Sequence, residues 1–149
     1  MATLGGPVEA FTVALRVAGD DLDPDEISSL LCTLPTESWR KGEHVQQLGR
    51  TVIAIEGRWT LRSQLPGTTD PEEQLTLLLT RMTDEPTVWS RLKVRYDIDL
   101  FCGVFLSSAN QGIELSAELL RRLGERGISI GFDIYSHHFP QFGDDIDHV

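Results

Sequence analysis

The sequence predicts an α+β or α/β fold: one two-layer sandwich, with a mixed sheet and helices mainly on one face, of ferredoxin-like character. Three observations predict it. Apolar residues alternate with others at 11–18, 97–106 and 128–135, the period of strands. Helix starts with strong capping residues lie between those runs. The stretch from Tyr96 to Tyr135 reads as strand, helix, strand, and such a unit at 97–135 sets its two strands parallel through a right-handed crossover.

In chain order, Phe11, Val13, Leu15 and Val17 form the apolar face of a first strand that ends at Gly19. Asp23-Pro24-Asp25-Glu26 then opens a helix. Asp23 suits the N-cap, Pro24 the first helical position, and Glu26 the return contact of a capping box. That helix presents Ile27, Leu30, Leu31 and Leu34 and stops before Pro35. The five acids at 20–26 thus have a structural explanation, and the spacing of a calcium loop is absent. Pro35 to Gln47 reads as a polar connection. Thr51–Ile55 and Arg58–Leu61 read as a hairpin around Glu56-Gly57. Asp70-Pro71-Glu72-Glu73 repeats the helix start, with Leu75, Leu78, Leu79 and Met82 as its buried stripe. Pro86 opens a shorter helix with Val88, Trp89 and Leu92. In the last unit Ser116 is the N-cap, Leu115 and Leu120 close a hydrophobic staple, and Gly127 supplies the left-handed C-cap. The expected domain spans residues 10–136, with loosely ordered tails at 1–9 and 137–149.

Composition narrows the function classes. The net charge of −10 repels phosphate backbones, so nucleic-acid binding is not expected. No apolar run reaches the roughly 20 residues that cross a bilayer, and Met1 to Glu9 lacks a basic-then-apolar leader. The expectation is a cytoplasmic protein that binds no membrane. Cys32 and Cys102 read as buried, reduced thiols, and neither has a base beside it in sequence. There is no phosphate-binding glycine loop, nucleophile elbow or zinc spacing, and no cofactor is expected. The reading leans away from an enzyme.

Leu30-Leu31-Cys32-Thr33-Leu34-Pro35-Thr36-Glu37-Ser38-Trp39-Arg40-Lys41-Gly42-Glu43 follows the first strand and the Asp-Pro-Asp-Glu helix start. Trp59-Thr60-Leu61-Arg62-Ser63 comes next, and Phe132-Asp133-Ile134-Tyr135 ends the folded part. Together these resemble a family of small bacterial proteins catalogued as domain of unknown function 4279, over roughly residues 10–136. The resemblance implies a single bacterial domain and assigns no activity, ligand or site residue.

Three sets of residues are candidates for chemistry. Asp97, Asp99, Phe101 and Phe105 alternate with the aliphatic face of one strand, and Ser129, Gly131, Asp133 and Tyr135 with that of the next. Neighbouring strands would gather Asp97 or Asp99 with Asp133, beside Tyr135 and His137, as a ligand-binding or cation-binding group. His137 and His138 are weak metal candidates, because adjacent histidines on an extended chain point apart. Trp39, Arg40 and Lys41 combine an aromatic with cations in a loop, the composition of an interface anchor. The leading functional expectation is a non-enzymatic interaction domain, an acidic immunity-type or regulatory partner that masks a basic protein. The alternative is a small-molecule or divalent-metal binder using the polar sheet face. Self-association through an uncovered face or edge is the third.

Overall fold

The computed structural model describes residues 4–63 and 70–136. Its elements run β1 (Ala10–Gly19), α1 (Pro24–Leu31), β2 (Glu37–Trp39), β3 (His44–Gln47), β4 (Arg50–Ile53), β5 (Gly57–Arg62), α2 (Pro71–Thr80), α3 (Pro86–Arg95), β6 (Asp97–Leu106), α4 (Ala117–Glu125) and β7 (Ser129–Ser136). Five strands make one open sheet in the order β2-β5-β1-β6-β7, and β3 and β4 pair as a separate hairpin. β1 is antiparallel to both β5 and β6, whereas β6 and β7 are parallel, as the strand–helix–strand pattern requires.

Alternation decides which face is covered. Leu15 lies opposite Leu61 and Leu100, and Val17 opposite Trp59 and Ile98, so these residues share one side of the sheet. All four helices pack there. Ile27 and Leu31 from α1, Leu75, Leu78 and Leu79 from α2, Trp89 and Leu92 from α3, and Leu119 and Leu123 from α4 join one core with the strands. Among the described residues no helix is long and apolar enough to cross a membrane.

The caps form as the sequence dictates. Asp23 accepts from the Asp25 amide, Asp70 from those of Glu72 and Glu73, and Ser116 from that of Leu119. Gly127 has φ of +70° just past α4, a conformation that costs a side-chain-bearing residue about 1 kcal/mol or more. The Ser116 amide also donates to the Glu72 carboxylate, which ties the start of α4 to the start of α2. Glu26 does not close a capping box. Its carboxylate accepts from Arg95 at 2.8 Å, since a charged donor from α3 outcompetes the local amide.

The middle of the chain departs from expectation. Arg50–Ile53 pairs with His44–Gln47 rather than with Arg58–Leu61. The turn is Leu48-Gly49, with φ of +50° and +75°, the signs of a two-residue hairpin turn. Leu48 there is fully exposed, so only backbone twist favours the conformation. Gly57–Arg62 instead inserts between β1 and β2, where Trp59 and Leu61 become fully buried. The supposed polar connection at 35–47 thus holds two strands. α1 stops at Leu31 rather than running on to Leu34. Cys32 takes φ of +60° at its end and is exposed rather than buried, and Leu34 beyond it is 79% exposed. Leu120, expected in a staple, is likewise half exposed.

Candidate functional site

Among the described residues, no helix covers the side of the sheet away from α1–α4. Its residues follow from register. Trp39 lies opposite Arg58, which lies opposite Ala18, and Ala18 opposite Asp97. The next row runs Glu37, Thr60, Arg16, Asp99 and Ser129, and the third runs Arg62, Ala14, Phe101 and Gly131. Small residues on β1 make room for the long side chains flanking them. Ala14, Ala18 and Thr60 are accordingly buried although no helix covers them.

Arg16 is the centre of this face. Its guanidinium grips Asp99 with two bonds, Nε to Oδ1 at 2.8 Å and Nη2 to Oδ2 at 2.5 Å. It also lies over the Phe101 ring at 4.7 Å. The Asp99 hydrogen bond raises the Arg16 pKa further, opposed in part by burial. Arg58 reaches Glu56 at 3.1 Å, and Arg62 reaches Glu37 at 2.6 Å. Each pair is partly solvated, so none contributes more than about 1 kcal/mol; their effect is to hold guanidinium groups in place. A hollow of about 490 Å³, open to solvent, is bordered by Arg16, Arg58, Lys93, Asp97, Asp99 and Ser129, among others. A second of about 310 Å³ lies beside Trp39, between Arg58 and the β3–β4 hairpin, with Val45, Val52 and Ile53 on its wall.

The sequence candidates fall in different places. Asp97 and Asp99 do share the polar face. Asp133 does not join them: Asp99 pairs with Ser129 and Asp133 with Gly103, an offset of four residues or about 13 Å along the strands. Asp133 instead accepts a 2.6 Å bond from the Tyr135 hydroxyl, and the Tyr135 ring stacks on Phe105 at 5.1 Å. That bond raises the Tyr135 pKa. Arg40 binds Asp23 at 2.9 Å and Asp25 at 3.6 Å, and Lys41 approaches Asp20 at 3.4 Å. Both cations therefore tie the loop to the acidic start of α1, while Trp39 alone of the three reaches the open face. His137 and His138 lie outside the described residues. Among the described residues no three His, Cys, Asp or Glu side chains gather as metal ligands would. Sequence reasoning passed over Arg16, Arg58 and Arg62. Their one signal was their position between buried neighbours on alternating strands.

Cys102 lies on the helix-covered side of β6, between Val13 and Phe132, and is fully buried. Burial first, and the Asp99 charge second, push its thiol from about 9 up to about 12. The folded protein therefore keeps this proton where the unfolded chain has lost it, and stability falls as pH rises from about 9 toward 12. Burial of Tyr96 acts with the same sign. Melting curves from neutral to strongly alkaline pH should show this decline, and Cys102→Ala should flatten it. A parallel slope in wild type and variant would remove Cys102 as its cause. In the native protein a thiol reagent should label the exposed Cys32 and spare Cys102.

Fold and site together define an α+β domain with one helix-covered and one open sheet face, the latter lined by arginines, carboxylates and aromatic rings. The chain belongs to the family described as domain of unknown function (DUF4279), whose model matches residues 9–137. No curated protein and no solved structure matches it.

Proposed function

We propose that residues 10–136 form a non-enzymatic protein-binding domain whose recognition surface is the open sheet face. One observation carries this reading: all the helices pack on the opposite side, leaving Trp39, Arg16, Arg58, Phe101 and Tyr135 on a broad rigid surface. Aromatic rings and arginines are the side chains that dominate binding energy in protein interfaces, and strands hold them with little entropy left to lose. The partner is a basic protein. The net charge of −10 steers it, and Asp97, Glu56 and Glu37 on the same face meet its cations. This reading sets the domain in a bacterial cytoplasm, as an immunity-type or regulatory partner.

The test is capture from a bacterial lysate with wild type, with an Asp97→Lys, Phe101→Ala double variant that reverses a charge and removes a ring on the open face, and with Arg121→Glu on the helix side. The expected result is a basic protein held in stoichiometric amount at low salt and released as salt rises. The double variant loses it and Arg121→Glu keeps it. Failure to capture any stoichiometric partner, or capture indifferent to the double variant, would overturn the proposal.

A second reading has its own observation, the 490 Å³ hollow with cations and carboxylates on its wall. A small polar molecule or divalent ion bound there would raise the melting temperature. Asp97→Ala and Asp99→Ala would abolish that rise, whereas Asp133→Ala, at the far end of the face, would leave it intact.

A further inference from the structure

We propose that two copies of this chain pair through β7, in an antiparallel strand pair centred on Phe132 that joins two five-stranded sheets into one. Among the described residues β7 is an edge strand of eight residues, and none of them is fully buried. Its Ile130, Phe132 and Ile134 continue the core row of Leu100, Cys102 and Val104, with which they are in register. Yet Phe132 is 42% and Ile134 61% exposed. An apolar hollow of about 360 Å³ adjoins them, lined by Val104, Leu106, Ile113 and Leu115. Proteins usually guard such an edge with lysine, proline or a short strand. The other edge of this sheet is guarded in that way, since β2 has three residues and its Glu37 is held by Arg62. β7 carries no Lys, Arg or Pro, and its one charge is Asp133.

The strand is self-complementary in one register. With the two-fold axis at Phe132, Ile130 meets Ile134 of the second copy, and the apolar rows of both sheets become continuous. Asp133 then faces Gly131 of the second copy, which removes any like charge opposite it. Shifting the axis by one residue to Asp133 sets the two carboxylates against each other and is disfavoured. A single strand pair about 26 Å long lies at the low end of specific interfaces, so the dimer should dissociate on dilution.

The test uses the full chain in sedimentation equilibrium across a wide concentration range. The expected result is a monomer–dimer equilibrium, abolished by Ile134→Lys without loss of the monomer's melting temperature and untouched by Arg58→Glu on the open face. In a Cys32→Ser, Cys102→Ala background, which removes the thiol paired with position 132 on β6, Phe132→Cys should oxidise to a covalent dimer. Paired residues lie about 4.5–5.5 Å apart between Cα atoms, which suits a disulfide. Asp133→Cys, whose two copies lie more than about 7 Å apart in this register, should not cross-link. A monomer at every concentration overturns the proposal. So does a monomer whose Phe132→Cys thiol resists alkylation, because the chain's own C-terminal residues would then occupy the strand. Equal cross-linking at both positions overturns the register.

Discussion

Trp59→Ala is expected to destabilise the domain by about 3–5 kcal/mol, a large share of the roughly 5–15 kcal/mol that holds a domain of this kind together. Trp59 is fully buried on β5 opposite Val17 of the central strand β1, on the sheet's helix-covered side. Its indole N–H donates to the Ser28 hydroxyl on α1 at 3.0 Å. One side chain therefore fills the core and fixes α1 against the sheet. Two further variants separate these contributions. Ser28→Ala keeps the packing but strands a buried N–H, at about 1–3 kcal/mol. Trp59→Phe gives up the hydrogen bond and part of the volume, and should fall between the other two. Urea unfolding followed to the midpoint, with the slope unchanged, measures all three. A loss under about 1 kcal/mol for Trp59→Ala would contradict this packing.

The same residue shows where the sequence was readable. Helix starts could be read from neighbours in the chain, because Asp23, Asp70 and Ser116 cap amides two or three residues away. Parallel β6 and β7 could be read because the alternation is long on both strands and a helix links them. β5 could not. Its pairing with β1 joins residues 38 to 48 positions apart, whereas the hairpin expected at 51–61 needed only local contacts. β2 and β3, at three and four residues, are too short to show alternation. The turn between β3 and β4 rests on a leucine with positive φ, which no composition rule flags. The site follows the same division. That Asp97 and Asp99 share a face was readable from period alone. That Arg16 meets Asp99, and that Asp133 lies four residues too far along, depends on strand register, which the periodicity of a single strand leaves open.

Gln74→Glu is expected to be nearly neutral in acid and to lose about 4 kcal/mol or more at neutral pH. β1 outruns β5 at its N-terminal end. Arg62 still pairs with Ala14, the Ser63 amide reaches the Val13 carbonyl, and there the strand stops. The next carbonyl on that edge, Phe11, accepts instead from the Gln74 side chain on α2, Nε2 to O at 2.8 Å. Gln74 is 1% exposed, so α2 completes the sheet edge with a buried amide. A glutamic acid has nearly the same shape, and in its protonated form it still donates to Phe11. Ionised, it sets a buried negative charge against a carbonyl oxygen. Its folded-state pKa therefore rises above the ordinary value near 4.3, and the folded state binds the extra proton. Stability then falls as pH climbs from about 4 through the raised pKa, and levels off beyond it. Gln74→Met, which lacks a donor and a charge, should lose about 1–3 kcal/mol with no such slope. Melting temperatures of wild type and both variants between acid and neutral pH decide the matter. If Gln74→Glu tracks Gln74→Met at every pH, the buried bond to Phe11 does not hold the end of β1.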